Sequence, residues 1–97
     1  MKDQENLEIL RKIYKKPDSS QRELAKDLGF SLGKLNYCIK ALQQKGFLKI
    51  KNFQKQNDKV SYIRYMLTPK GISFRTKLTI DFMKRKMKEY DELKSEL

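Results

Sequence analysis

Residues 21–49 read QRELAKDLGFSLGKLNYCIKALQQKGFLK, and this stretch decides the fold. Ser20 precedes it and stands three residues before Glu23, a capping-box pattern in which serine caps a helix and glutamate reaches back. Gly29 lies where a helix end favours a left-handed residue, and Ser31 is a candidate N-cap for a second helix. The stretch therefore predicts two short helices joined by a tight turn.

Each of these two helices has one apolar face. The faces are formed by Leu24, Ala25 and Leu28 in the first and by Leu35, Cys38, Ile39 and Leu42 in the second. We predict that Cys38 is a small core hydrophobe rather than a reactive thiol. The second helix is predicted to reach Lys45 and to end at Gly46. Two short helices around a Gly-containing turn match the helix-turn-helix layout.

The flanking sequence adds a helix on one side and a hairpin on the other. The first helix is predicted from the helical spacing of Leu7, Ile9, Leu10, Ile13 and Tyr14, ending before Pro17. After Gly46 the pattern changes to FLKIKNF (47–53) and KVSYIRYML (59–67), two strand-like runs around a polar loop. This hairpin is the predicted wing.

Thr68 and Pro69 then predict the start of a last helix, with threonine at the cap and proline in the first turn. Ile72 and Phe74 are expected to pack on the domain. Further along, a heptad seam is formed by Ile80, Met83, Met87, Tyr90, Lys94 and Leu97, and Phe82 and Leu93 widen it.

We predict that this seam pairs two copies of the chain, because pairing removes an apolar stripe from water. The predicted dimer interface is Ile80, Met83, Met87, Tyr90, Leu93 and Leu97. The alternative is that the tail packs back on the first helix. The predicted fold is α+β and mostly helical, a winged helix-turn-helix with a long C-terminal dimerisation helix. Its DNA-binding domain is predicted at 1–79 and the dimerisation extension at 80–97.

Charge indicates the class of partner. The net charge is +11 and the pI is about 9.8, and Asp58 is the single acidic residue between Leu28 and Ile80. The basic residues of that run are Lys34, Lys40, Lys45, Lys49, Lys51, Lys55, Lys59, Arg64, Lys70, Arg75 and Lys77. Such a field attracts phosphates by releasing their counterions, which favours nucleic acid or an anionic surface.

Other classes are disfavoured by what the sequence contains. No apolar run approaches the ~20 residues of a membrane span, and the acidic N-terminus is unlike a signal peptide, so we expect a cytoplasmic protein without a membrane partner. The chain has no histidine, a single cysteine and four separated glycines. An enzyme is therefore not expected, and neither is a metal or another cofactor.

Three segments carry a resemblance: SQRELAKDLG (20–29), KLNYCIKALQQKGFLK (34–49) and YMLTPKG (65–71). They are similar to winged-helix transcriptional regulators of the MarR type, and in particular to the short exopolysaccharide-associated members. The resemblance implies that the second helix of the motif enters the major groove of DNA. It also implies a dimer, which in longer MarR-type proteins is built by additional helices.

The side of the second helix that faces away from the core is the predicted reading surface. It comprises Ser31, Leu32, Gly33, Lys34, Asn36, Tyr37, Lys40 and Gln44. Asn36 suits an adenine edge and Lys34 a guanine. Tyr37 suits a sugar or phosphate, and Gly33 permits close backbone approach. The alternative is an ordinary solvated helix face.

The wing and its surroundings supply a second predicted contact. The wing residues are Lys51, Asn52, Gln54, Lys55, Gln56, Asn57 and Lys59, suited to a minor groove or to flanking phosphates. Gln21 and Arg22 are expected to touch the DNA backbone. A solvated loop is the alternative.

Together these observations predict a sequence-specific regulator that binds double-stranded DNA as a homodimer, and we favour a repressor. Two other functions stay open. One is a winged-helix protein-interaction module, and the other is a structural protein that binds DNA without sequence preference.

Overall fold

The computed structural model describes residues 3–54 and 61–97, with the backbone alone for 52–54 and 61–63. Its elements are α1 (Asp3–Lys15), α2 (Gln21–Leu28), α3 (Leu32–Gln44), β1 (Leu48–Gln54), β2 (Ser61–Leu67) and α4 (Pro69–Ser95). The predicted order of three helices, a hairpin and a long helix is confirmed. The fold is a mostly helical winged helix-turn-helix.

Serine caps set the starts of α2 and α3. Ser20 Oγ accepts a hydrogen bond from the Glu23 backbone N–H at 3.1 Å, and Ser31 Oγ accepts one from Lys34 N–H at 3.1 Å. These bonds satisfy N–H groups that have no partner inside a helix. The return bond of the capping box is not formed among the described residues, so the prediction that Glu23 reaches back was wrong.

The ends of α2 and α3 repeat one motif. Gly29 and Gly46 have φ values of +71° and +81°, the left-handed conformation that glycine adopts most readily. The N–H of the following residue then bonds a carbonyl five residues earlier, at 2.9 Å in both cases. These residues are Phe30 and Phe47, and both pack half-buried against the core. Each helix therefore ends in a Schellman turn with an apolar plug.

One hydrophobic core joins α1, α2, α3, the base of the hairpin and α4. Its buried apolar residues are Leu7, Ile9, Leu10, Ile13, Leu24, Ala25, Leu35, Cys38, Ile39, Leu42, Leu48, Tyr65 and Leu78. Two core predictions were wrong, because Tyr14 is 59% exposed and Ile72 is 44% exposed. In α4 the inward face runs through Phe74 and Leu78, and Ile72 lies off that line. Tyr14 instead packs beneath the Arg75 guanidinium, 4.2 Å from its ring centre.

The hairpin is antiparallel, with Leu48 opposite Leu67, Lys51 opposite Arg64 and Gln54 opposite Ser61. At its base the apolar residues face the core and the lysines face outward, as the alternation predicted. The Tyr65 N–H bonds the Pro17 carbonyl at 3.2 Å, which ties β2 to the link between α1 and α2. Residues 55–60, which include most of the predicted loop, lie outside the described residues.

A compact junction connects the end of α3 to the start of α4. We call it the clasp, and it consists of Gly46, Phe47, Thr68 and Gly71. Thr68 Oγ1 accepts from the Gly71 N–H at 3.0 Å and donates to the Gly46 carbonyl at 2.6 Å. The Thr68 N–H bonds the Phe47 carbonyl at 3.2 Å. A Cβ at Gly71 would lie 2.0 Å from that carbonyl oxygen, so only glycine fits there.

Aromatic and basic side chains extend the clasp. The rings of Phe47 and Phe74 stack with centroids 4.1 Å apart and an interplanar angle of 8°. Lys70 Nζ donates to the Lys45 carbonyl at 3.0 Å and lies 5.3 Å from the Phe47 ring centre. The hairpin therefore enters and leaves the domain at a fixed place beside the end of α3.

The last helix runs far beyond the domain. Its 27 residues correspond to about 40 Å at ~1.5 Å per residue, and the longest dimension of the molecule is 62 Å. Leu78 is buried and Phe82 is half-buried against the core, whereas every residue from Met83 onward is exposed. Phe82 therefore contributes to the domain more than to the seam.

Candidate nucleic-acid interface

The centre of the candidate interface is a row of residues on α3 opposite its buried face. We call it the outer row, and it consists of Gly33, Tyr37, Lys40 and Gln44, spaced four, three and four residues apart. All four are exposed, and Tyr37 is 71% exposed. None takes part in the core, so the whole row is available to a partner.

Two predicted contacts lie on one flank of the outer row. Leu32 is 44% exposed, which leaves an apolar side chain suited to a thymine methyl. Asn36 is half-buried, so only part of its amide faces solvent. Ser31 at the N-cap is exposed, and the N–H groups of Leu32 and Gly33 have no partner among the described residues. Such groups at a helix start bind phosphate oxygens well.

Lys34, on the other flank, is held by the protein itself. Its Nζ lies 3.2 Å from Glu5 Oε1 and 4.5 Å from the centre of the Phe30 ring. Glu5 belongs to the first turn of α1, 29 residues away in the chain. The sequence reasoning missed Glu5, because nothing in the local pattern indicates a partner so far away.

The basic field is less uniform in space than along the chain. Arg64 Nε lies 3.3 Å from Asp18 Oδ1, and Lys70 and Arg75 are engaged as described above. The described lysines of the basic run that stay exposed with neither an ion pair nor a side-chain hydrogen bond are Lys40, Lys45, Lys49, Lys51 and Lys77. A run with a single acid in the sequence is therefore approached by further acids from α1 and from the turn after it.

The described residues include only some of the predicted wing contacts. Lys51 is exposed, as is Lys49 on the same outward face. The side chains of Asn52 and Gln54 lie outside the described residues. So do Lys55, Gln56, Asn57 and Lys59. Their role stays a prediction.

The two predicted contacts at the start of α2 differ from each other. Arg22 is exposed, whereas Gln21 is half-buried and adjoins Tyr65. Burial raises the pKa of Tyr65, and the Gln21 side chain acts in the opposite direction. Gln21 is thus turned at least partly toward the protein, which makes Arg22 the better candidate for a phosphate contact.

Cys38 is buried on the core-facing side of α3, as predicted. Burial raises the pKa of its thiol, the Glu5 carboxylate raises it further, and Lys34 lowers it. A raised pKa disfavours the thiolate, the reactive form of cysteine. The thiol is therefore a core group rather than a reactive one.

The predicted dimer seam on α4 is uncovered in the single chain. Ile80, Met83, Met87, Tyr90 and Leu93 are between 46% and 65% exposed. Leu97 is fully exposed and lies beyond the helix, which ends at Ser95. In the single chain the stripe is not packed back on α1, because its residues from Ile80 to Leu93 are exposed.

Comparisons with known proteins agree with this geometry. Residues 3–49 match a family model described as winged helix-turn-helix DNA-binding. No curated protein sequence matches the chain.

Within the described residues, no helix has the length and apolar character to cross a membrane. The same residues contain no cluster of three metal-binding side chains.

Solved structures of transcription regulators share the fold. Staphylococcus aureus MarR, in complex with salicylate and kanamycin, is 20% identical with a TM-score of 0.67, over 90% of this chain and 56% of that one. Streptococcus pneumoniae FabT, in complex with DNA, is 23% identical with a TM-score of 0.60, over 90% and 58%. The repressor CouR, bound to a 23-mer DNA duplex, is 24% identical with a TM-score of 0.68, over 90% and 59%.

The fold and the family match define a winged helix-turn-helix protein. Solved structures described as MarR and as a MarR family transcription regulator share this fold. The resemblance seen in the sequence is thus confirmed at the level of the fold. The chain spans less than three fifths of the length of each of these three structures.

Proposed function

We propose that this chain is a transcriptional regulator that binds double-stranded DNA with sequence specificity. The observation that carries the proposal is the outer row of α3, which is exposed, has no role in the core and lies beside a basic hairpin. The MarR-family fold and the DNA complexes of FabT and CouR support it. In this proposal α3 lies in the major groove, and the exposed lysines of the hairpin contact phosphates.

Selection of bound duplexes from a random pool tests the proposal. A specific regulator enriches one sequence and keeps it against excess random duplex, whereas a structural DNA-binding protein enriches none. A protein-interaction module should bind neither the selected nor the random duplex, so no salt-dependent binding should be measurable. These three outcomes separate the proposal from its two alternatives.

Asn36 provides a sharper test at the level of one residue. We expect Asn36→Ala to lower discrimination between the selected and random duplexes by about 1–3 kcal/mol, because an amide reads an adenine edge. Gln43→Ala on the same helix is the matched control and should leave discrimination unchanged. Equal loss on both duplexes would make Asn36 a positioning contact.

We further propose that the chain acts as a homodimer through the α4 seam. The exposed stripe of Ile80, Met83, Met87, Tyr90 and Leu93 supports this, and a dimer matches palindromic half-sites about 34 Å apart. Met87→Asp places an unpaired charge in the interface, at a cost of several kcal/mol. Sedimentation should show a folded monomer, whereas Lys88→Asp, off the seam, should stay dimeric. A monomeric wild type at tens of micromolar would contradict the seam.

Within this proposal we favour repression, in which the bound dimer blocks a promoter. Transcription in vitro from a template that carries the selected duplex at its promoter should fall as protein is added. A rise in transcript would assign activation instead.

A further inference from the structure

The Glu5–Lys34 pair occupies a position that the proposed function does not explain. Lys34 stands in the first turn of the recognition helix, where a free ammonium group would meet a phosphate or a guanine. Its Nζ instead lies 3.2 Å from Glu5 Oε1. The Glu5 side chain is 23% exposed and that of Lys34 is 45% exposed, so the pair is at the surface with the carboxylate partly covered.

Stability alone is a weak reason for this pair. Ion pairs at the surface contribute little to folding, because water screens them and ordering two long side chains costs entropy. The pair joins two helices that already share a buried core, so the fold does not depend on it. Its larger consequence is electrostatic, because it removes one positive charge from the helix that faces the partner.

We propose that Glu5 is an internal competitor of DNA for Lys34 and thereby lowers the affinity of the chain for DNA. The inference rests on the proposed function. To reach a phosphate, the Lys34 ammonium must leave Glu5 and the Phe30 ring, and the carboxylate then stands uncompensated beside a polyanion. Glu5 therefore weakens binding wherever charge is the only attraction.

The effect is expected on random and selected DNA alike. Binding to random duplex is almost entirely electrostatic, whereas binding to a selected site adds contacts to base edges. A lost phosphate contact costs a similar free energy on either duplex, because the base contacts add to it and do not replace it. Glu5 therefore lowers the affinity for both duplexes by a similar factor.

The test measures binding to a random-sequence duplex across a range of salt concentrations. Glu5→Gln should bind about fivefold more tightly near 0.15 M salt, with a slope of log K against log salt steeper by about 0.9, the contribution of one phosphate. Glu8→Gln, one turn further along α1, removes the same formal charge and is the matched control. Its slope should stay at the wild-type value.

The same substitution in a Lys34→Gln background separates competition from a general charge effect. Competition for Lys34 predicts that Glu5→Gln brings no gain once Lys34 is absent. An equal gain in both backgrounds would overturn the inference and leave only a general repulsion. Thermal unfolding of each variant checks that the fold is kept, and a midpoint close to that of the wild type is expected.

The remaining outcomes distinguish this inference from the proposed function. Binding by the wild type with an unchanged slope in Glu5→Gln would overturn the role of Glu5 and leave the proposed function standing. Failure of the wild type to bind any duplex at low salt would overturn both. A gain for Glu5→Gln on random duplex without a similar gain on the selected site would contradict competition for a single phosphate contact.

Discussion

Two helical glycines, Gly33 in the recognition helix and Gly71 in the clasp, are used in opposite ways. At Gly71 an added Cβ would lie 2.0 Å from the Phe47 carbonyl oxygen. At Gly33 an added Cβ would meet nothing within 4 Å. The fold requires glycine at the first position and does not require it at the second.

This difference matters because glycine is less favourable than alanine in a helix by up to about 1 kcal/mol. At Gly71 the close approach of α4 to the end of α3 offsets that cost. At Gly33 no contact inside the described chain does so. A partner that approaches the helix closely, such as the DNA of the proposed function, accounts for Gly33.

The largest expected effect is at Gly71. Gly71→Ala should lower the free energy of unfolding by about 3 kcal/mol, because a backbone carbonyl cannot yield as a flexible side chain does. Urea unfolding followed by circular dichroism measures it. An unfolding midpoint equal to that of the wild type would show that the clasp has room to adjust, and the contrast with Gly33 would disappear.

Thr68 should give the next largest effect. Thr68→Ala removes the N-cap of α4 and the bond to the Gly46 carbonyl, and we expect a loss of about 1–2 kcal/mol. Ser31→Ala removes only the cap of α3 and should lose about 1 kcal/mol or less. The same urea experiment compares the two variants. A larger loss of unfolding free energy for Ser31→Ala than for Thr68→Ala would contradict the prediction that the clasp contributes more to folding than a cap alone.

Gly33→Ala should have a small effect of opposite sign on folding. We expect the free energy of unfolding to rise by a few tenths of a kcal/mol, because alanine is the better helix former. Binding to duplex DNA should weaken at the same time. A variant that is more stable and binds as well as the wild type would show that nothing approaches Gly33 closely.

The smallest expected change is the chemical labelling of Cys38 in the folded protein. Alkylation of the folded protein should be slow at neutral pH, since burial raises the pKa of the thiol and hides it from reagent. Between pH 7 and pH 9 the rate should stay below that of the protein unfolded in urea, because a raised pKa keeps the thiolate fraction lower at each pH. Rapid labelling of the folded protein would mean that α3 opens from the core, and the outer row would then not be a rigid surface.

Local sequence was sufficient for most of the fold. Ser20, Ser31 and Thr68 cap their helices as predicted, because a cap depends on residues only three positions away. Gly29 and Gly46 end theirs for the same reason. The hairpin followed from the change of period after Gly46. The outward face of α3 followed from its helical spacing, although the sequence did not show that Lys34 is engaged or that Asn36 is half-buried.

Only the tertiary structure decided which charges are free and which glycine is indispensable. Glu5 reaches Lys34 across 29 residues and Asp18 reaches Arg64 on β2, so a run with one acid in sequence has more of them near it in space. Nothing in the local pattern around Gly71 indicates its role, which is set by the Phe47 carbonyl 24 positions earlier in the chain. Caps and periodicity are properties of neighbours in the chain. Ion pairs and steric fit belong to neighbours in space, which the sequence brings together only by folding.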